Sequence, residues 1–143
     1  MDPGTSGLGA ELRALVSTLS RHYRSQRPRG EVGDAALVVL LRLHRDGPQT
    51  LTTLSARLGV TPASLSQSIV RLVERGYAER ARDEVDRRRV LLRATPRGVE
   101  VAGAARARMD AWFAGRLDAL TAEERHRLES VLPVLRKLAD PDG

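Results

Sequence analysis

The 143-residue chain contains no cysteine, which excludes disulfides, zinc sites with thiolate ligands and redox sensing through a thiol. Its three histidines, His22, His44 and His126, lie on separate predicted helices without the spacing of metal ligands. No nucleophile-and-base motif, phosphate-binding loop or pair of catalytic carboxylates stands out. We therefore expect a protein that is not an enzyme and that uses no metal and no cofactor.

Lysine is almost as scarce, because 23 of the 24 basic residues are arginines. The 18 acidic residues leave a net charge of +6, which favours a polyanionic partner such as nucleic acid or an anionic membrane surface. Arginine binds phosphate with a planar, forked group and can enter a narrow minor groove of DNA. A GC-rich genome would also favour arginine over lysine, so the positions of the arginines matter more than their number.

Long hydrophobic runs are missing too. Residues 1–9 lack the basic start and apolar centre of a signal peptide, and no apolar run approaches the roughly 20 residues of a membrane span. With 41% hydrophobic residues the chain can still bury a core, and its length fits one domain. These features predict a cytoplasmic protein without a membrane partner.

The chain does contain a succession of helical patterns. Apolar residues at helical spacing predict an amphipathic helix over residues 8–23, which residues 26–33 interrupt. Residues 35–44 are apolar on nearly every side, as expected of a helix at the centre of a core. After residue 96 the pattern predicts a long helix, and the capping box 121–124 predicts the start of a last one.

The middle of the chain predicts two short helices joined by a tight turn. Thr50 or Thr52 can cap the first helix, and Gly59 supplies the backbone freedom that the turn needs. Thr61 can cap the second helix, which covers residues 62–75 and has proline in its first position.

Two short strands follow, residues 77–82 and 88–94, joined by the polar turn 83–87, and a bridge-like strand at 49–51 comes before them. This order of elements is typical of a winged helix-turn-helix, which points to double-stranded DNA. The expected fold is mainly α with a small β-hairpin wing, built as a winged helix-turn-helix with terminal dimerisation helices.

The second helix of the pair has one apolar and one polar side. The residues expected to face the core are Leu65, Ile69, Leu72 and Val73. The opposite side presents Ala63, Gln67, Val70, Arg71 and Glu74, flanked by Ser64 and Ser68. Gln67 can make a bidentate contact with adenine, and Ala63 can meet a thymine methyl. Serine hydroxyls and Arg71 suit phosphates, although an ordinary solvated helix face remains the alternative for this helix alone. The expected DNA contacts are Thr61, Ala63, Ser64, Gln67, Ser68 and Arg71.

The hairpin adds a cluster of arginines at or just past its tip. Its expected DNA contacts are Asp86, Arg87, Arg88 and Arg89. A projecting arginine can lie in the minor groove, where the potential is negative. The carboxylate of Asp86 could pair with Arg88 and hold it in one direction. A solvated run of charge is the alternative.

These residues together resemble the MarR family of bacterial transcriptional regulators. The resemblance rests on residues 54–66, 72–77, 86–89 and 94–98, and the order of elements is similar over essentially the whole chain. It implies that Arg88 enters the minor groove and that the helix beginning at Pro62 enters the major groove. Ala94 departs from the leucine that is common in the family before the residue corresponding to Thr95.

A helix-turn-helix gains affinity by binding two half-sites about 34 Å apart, which predicts a two-fold symmetric homodimer. The expected dimerisation residues are Leu8, Leu12, Leu15, Leu128, Val131, Leu132, Leu135 and Leu138. Packing within one chain is the alternative for any single leucine. We accordingly expect an N-terminal dimerisation helix and linker over 1–33, a DNA-binding region over 34–98 and C-terminal dimerisation helices over 99–143, all in one compact domain per chain.

The resemblance also implies control by a small anionic or phenolic effector, bound between the dimer helices and the DNA-binding region. By topology the pocket would include His22, Tyr23, Arg24, His44, Arg45 and Trp112. A structural role is the alternative for each histidine and aromatic residue.

The predicted function is that of a sequence-specific regulator of transcription, in such families most often a repressor, that binds a palindromic operator. Two other functions stay open at this point. One is a nonspecific architectural DNA-binding protein, and the other is a winged-helix module that binds proteins and has lost DNA binding.

Overall fold

The computed structural model describes residues 3–26 and 32–139 of the chain. In chain order its helices and strands are α1 Pro3–Ser25, α2 Gly33–Asp46, α3 Leu51–Leu58, α4 Pro62–Glu74, β1 Ala78–Arg82, β2 Val90–Ala94, α5 Pro96–Asp118 and α6 Ala122–Ala139. The mainly α fold with a two-stranded antiparallel wing is therefore confirmed. None of the helices in these residues is long and apolar enough to cross a membrane.

The chain divides into two compact units, one that ends at Met109 and one that begins at Asp110. The boundary lies inside α5, so the first part of this helix belongs with the preceding elements. The expected boundary after residue 98 stays a prediction. Most of the expected linker, residues 27–31, lies outside the described residues.

Local hydrogen bonds explain where the central helices begin and end. Thr50 rather than Thr52 caps α3, because its hydroxyl accepts the backbone N–H of Thr53 at 3.2 Å. Thr61 caps α4 in the same way, and Gly59 adopts a left-handed φ of 65° in the turn between the helices. The strands are shorter than predicted, since the turn closes with a hydrogen bond from Asp83 N–H to the Arg89 carbonyl at 3.0 Å.

The hydrophobic core of the first unit surrounds α2. Its buried members are Val32, Ala36, Val39, Leu40, Leu43, Leu54, Leu65, Ile69, Leu72, Tyr77, Ala78, Leu92 and Ala102. The continuous apolar surface of α2 is thus explained, because α3, α4, the wing and α5 all contribute residues to the same cluster. Val73 was expected to face this core, but 39% of its surface is exposed. It follows Leu72 by one residue, or about 100° around the helix, and so lies at the flank of α4.

The wing is attached to the helical core at two places. Gln49 and Leu92 exchange backbone hydrogen bonds of 3.0 and 2.7 Å, which makes Gln49 a one-residue third strand beside β2 and confirms the predicted bridge. At the base of the hairpin, Thr95 N–H donates to the Tyr77 carbonyl at 3.0 Å, and the Thr95 hydroxyl donates to the Gly76 carbonyl at 2.5 Å. Both ends of the hairpin are therefore joined just before α5 begins.

Gly98 lets α5 approach the base of the wing closely. A Cβ atom at this position would lie 1.9 Å from the carbonyl oxygen of Tyr77 and 3.2 Å from Cδ1 of Leu40. The first contact is with backbone that is itself hydrogen-bonded, so it cannot move aside as a flexible side chain could. Residue 98 must therefore be glycine for the observed packing.

We expect Gly98→Ala to lower the free energy of unfolding by about 1–3 kcal/mol, because overpacking forces the backbone at the wing base to shift. Urea denaturation followed by circular dichroism measures the change. Gly103→Ala is the matched control on α5, since no atom lies within 4 Å of a Cβ there. That variant should be about 0.5–1 kcal/mol more stable, because alanine favours a helix over glycine. Equal effects of the two substitutions would contradict the packing argument.

Candidate nucleic-acid interface

The outer face of α4 forms a shallow open groove. Its lining residues are Ser66, Gln67, Val70, Arg71 and Glu74. The side chains of Leu65, Ile69 and Leu72 are buried on the opposite face, so the core fixes which face of the helix points outward. The Gln67 amide makes no hydrogen bond within the described residues, so both its donor and its acceptor are available to a partner.

The serines of α4 differ in their accessibility. Ser64 is exposed, and its hydroxyl lies 2.8 Å from that of Thr61 at the start of the helix. Ser68 was expected to contact a phosphate, but only 8% of its surface is exposed, which leaves little of it accessible to a partner; this contact stays a prediction. Ser68 lies one helical turn before Leu72 and therefore shares the buried side of α4.

The turn of the wing is held by its own acidic residues. Asp83 Oδ1 accepts the backbone N–H of Val85 at 2.9 Å, and the Asp86 carbonyl accepts that of Arg89 at 2.9 Å. Val85 at the tip is 96% exposed. These contacts give the loop a defined shape, so the side chains that follow it leave the hairpin in fixed directions.

Asp86 holds Arg88 at two atoms. Its Oδ1 accepts the backbone N–H of Arg88 at 3.1 Å and the side-chain Nε–H at 3.2 Å. These hydrogen bonds from Arg88, the side-chain one first, keep the pKa of the Asp86 carboxyl below its usual range. The Arg88 side chain is nevertheless 92% exposed. Because only Nε is bound, the two terminal amino groups of the guanidinium remain free to donate outward.

The other arginines of the wing are arranged differently. Arg89 forms an ion pair with Asp83 at 3.7 Å, and Arg93 pairs across the strands with Glu79 at 2.7 Å. Arg87 is exposed and has no ion pair within the part of the chain that the structure describes. Of the three consecutive arginines, Arg88 alone is both strongly exposed and held by a hydrogen bond to its side chain.

Asp46 joins α2 to α3, a role that the sequence reasoning missed. Its carboxylate accepts hydrogen bonds from Arg45 at 2.8 Å and from Arg42 and Arg57 at 3.2 Å each. The hydrogen bond from Arg45 is the largest cause that lowers the pKa of Asp46 to about 2. Arg57 also donates to the side-chain oxygen of the buried Gln49 at 3.3 Å. The end of α2, the bridge to the wing and α3 are therefore connected through one polar cluster. The spacing Arg42-x-x-x-Asp46, typical of an ion pair on a helix, was the signal in the sequence.

The residues expected around an effector lie in both units. In the first unit His22 and Arg24 are exposed, Tyr23 and His44 are half-buried, and Arg45 is held by Asp46. In the second unit the Trp112 ring lies edge-on to Phe113, with centroids 4.8 Å apart, and the Arg116 guanidinium lies 5.3 Å from the Trp112 centroid. The effector pocket stays a prediction.

The terminal helices expose much of their apolar surface. On α1, Leu8 and Leu15 are exposed and Leu12 is half-buried. On α6 no residue is buried; Leu128, Val131, Leu132 and Leu138 are exposed, and Leu135 is half-buried. The capping box of α6 is formed, since Thr121 and Glu124 exchange hydrogen bonds of 2.8 and 3.2 Å. The helix also contains a proline in its interior, Pro133. A single chain thus leaves an apolar face of each terminal helix uncovered.

Known proteins share both the sequence and the fold. Residues 32–89 match the model of the MarR family. A helix-turn-helix-type transcriptional regulator of Mycobacterium bovis, itself uncharacterised, is 33% identical to this chain over 133 residues, which cover 93% of each protein.

Two solved structures extend the similarity to the whole fold. A MarR family protein from Bacillus stearothermophilus has a TM-score of 0.84 at 21% identity, and the match covers 97% of this chain and 98% of that one. FabT of Streptococcus pneumoniae, solved in complex with DNA, has a TM-score of 0.76 at 21% identity and covers 96% of this chain and 98% of its own. At this level of identity the two structures establish the fold.

Proposed function

The chain belongs to the MarR family, whose members are helix-turn-helix transcriptional regulators that bind DNA, and from this membership we propose that it represses transcription by binding a palindromic operator as a homodimer. The match to the mycobacterial regulator supports the general part of this proposal, that the chain is a helix-turn-helix regulator of transcription. The sequence specificity, the dimer and the direction of regulation are the proposed parts.

The observation that carries the proposal is that two exposed surfaces of different chemistry lie on one packed core. The outer face of α4 offers the amide of Gln67, which suits the edge of a base, whereas the wing offers Arg88, which suits a negative groove. Leu72 of α4 and Leu92 of β2 belong to the same buried cluster, so the helix and the wing form a rigid unit. A purely electrostatic binder would need the arginine but not the exposed amide on a helix.

The uncovered apolar faces of α1 and α6 support the homodimer. Water-exposed leucines at helical spacing are unfavourable in a single chain, and a second copy would bury them. A two-fold dimer would also present two copies of α4, as a palindromic site requires. Repression follows most simply, because a dimer that occupies a promoter excludes other proteins from it.

The proposal includes control of DNA binding by a small anionic or phenolic effector. This effector would bind at the pocket residues predicted from the sequence. Arg45 has a further property here, because its guanidinium already binds the Asp46 carboxylate at 2.8 Å. An anionic ligand at Arg45 would therefore have to compete with that carboxylate.

Selection of bound fragments from a random duplex pool tests the function directly. We expect a single palindromic motif, and binding to that motif about 10³-fold or more tighter than to random duplex at the same salt concentration. Titration by fluorescence anisotropy measures the ratio. Recovery of no motif, with equal affinity for all duplexes, would support the nonspecific architectural function instead. If the protein does not bind duplex even at low salt, the result would favour the other alternative, a winged-helix module that binds proteins.

Arg88→Ala should weaken binding to the selected duplex by about 5- to 100-fold, because it removes the positioned donor of the wing. The slope of log affinity against log salt should also fall by about 1 if the lost contact includes a phosphate. Arg108→Ala is the control, since it removes the same charge from an exposed position on α5 outside both contact surfaces. If Arg108→Ala weakened binding as much as Arg88→Ala, net charge rather than the position of Arg88 would be responsible.

Leu132→Glu should convert the homodimer to monomers at micromolar concentration, because it places a charge in the apolar face of α6. Sedimentation velocity measures the change, and circular dichroism checks that the helices remain. Ser130→Glu introduces the same residue about 160° around α6 from Leu132 and should leave the dimer intact. A wild-type monomer, or a dimer that tolerates Leu132→Glu, would argue against this interface.

A further inference from the structure

We infer that Val70 of α4 reads the C5-methyl group of a thymine, in a base pair next to the adenine that Gln67 contacts. The inference rests on the proposed sequence-specific binding of DNA and assigns part of that specificity to a residue outside the DNA contacts expected from the sequence. It also limits the operator, since it requires an A·T base pair at a defined place in each half-site.

The position of Val70 carries the first step. The residue is 46% exposed and lines the open groove together with Gln67 and Glu74. It lies three residues after Gln67, and residues three or four apart are neighbours on one helix face. Three residues advance about 4.5 Å along a helix, whereas neighbouring base pairs are about 3.4 Å apart. A helix lying in the major groove would thus place Val70 within about one base pair of the contact made by Gln67.

The chemistry of valine carries the second step. A valine side chain has no hydrogen-bonding group, so it contributes no polar contact to a phosphate or to a base edge. Thymine is the one base that presents a methyl group in the major groove, and apolar side chains contact it there. The exposed Ala63, four residues before Gln67, offers the same kind of surface on the other side. Gln67 therefore lies between two apolar contacts.

The charges beside Val70 carry the third step. Arg71, the expected phosphate contact, also lines the groove, about 100° around the helix from Val70. Glu74 is exposed on the same face as Val70, one turn further along the helix. Its carboxylate would be repelled by phosphates, which disfavours an arrangement in which this row of residues lies along the DNA backbone. The row Ala63, Gln67, Val70 and Glu74 consequently faces the floor of the groove, where the thymine methyl lies.

Replacement of single thymines by deoxyuridine in the selected duplex tests the inference, because it removes only the methyl group. For the wild-type protein, the affinity for the duplex should fall about fourfold when one particular thymine of a half-site is replaced, as expected for the loss of one buried methyl group. With Val70→Ala the same replacement should have no effect, so the two changes should not add. Circular dichroism of the variant checks its fold.

Val73→Ala is the matched control, since it makes the same substitution at a partly exposed valine on the flank of α4. This variant should retain the wild-type sensitivity to deoxyuridine. If no thymine is sensitive, or if Val70→Ala responds to every deoxyuridine as the wild type does, the role of Val70 is wrong while sequence-specific binding stands. If the wild type shows no preference over random duplex, the proposed function itself fails, and this inference fails with it.

Discussion

The carbonyl of Tyr77 is the point at which α4, the wing and α5 are held together. It accepts the Thr95 N–H at 3.0 Å, while the Tyr77 N–H donates to the Leu72 carbonyl at 2.8 Å near the end of α4. Gly98 brings α5 against the same oxygen, and the Thr95 hydroxyl caps α5 by accepting the Gly98 N–H at 3.1 Å. The end of α4, the base of the hairpin and the start of α5 meet at this one junction. The wing therefore cannot rotate freely relative to α4. The junction therefore restricts how far Gln67 on α4 can lie from Arg88 on the wing.

A second attachment lies along β2, on the edge of the hairpin that does not pair with β1. The buried Gln49 is hydrogen-bonded through its backbone to Leu92 and through its side chain to Arg57, which also binds Asp46. The connection therefore runs from the wing to α3 and to the end of α2 without passing through α4. A hairpin fixed at its base alone could bend as a hinge, whereas a hairpin fixed at its base and at one edge resists bending. Isolated two-stranded hairpins are marginal in water, and these two attachments explain how so short a wing stays ordered.

The sequence predicted the elements well because each has a local cause. Thr61 with Pro62, Gly59 and the pair Thr121 and Glu124 act within one helical turn, and the alternation of the wing strands has a period of two residues. The features that could not be predicted depend on contacts between distant parts of the chain. The need for glycine at position 98 comes from a carbonyl 21 residues earlier, and the Asp46 cluster includes an arginine 11 residues later. The burial of Ser68 and the exposure of Val73 on α4 have a third cause: packing against other elements decides whether a residue at the border of a buried face is covered.

The wing also shows why the net charge of +6 is a poor measure of how this protein would bind DNA. Asp83, Asp86 and Glu79 each neutralise an arginine of the hairpin, so the acidic residues reduce the general attraction to phosphates. In return, a guanidinium held at Nε loses less conformational freedom on binding than a free one, which favours contacts that need a fixed direction. Because the pKa of Asp86 is lowered, its carboxylate stays ionised as the pH falls through the usual titration range of aspartate, so the Arg88 contact is fully present at neutral pH and is lost only in stronger acid. A pH dependence of DNA binding near neutrality would therefore have to originate elsewhere than in this turn.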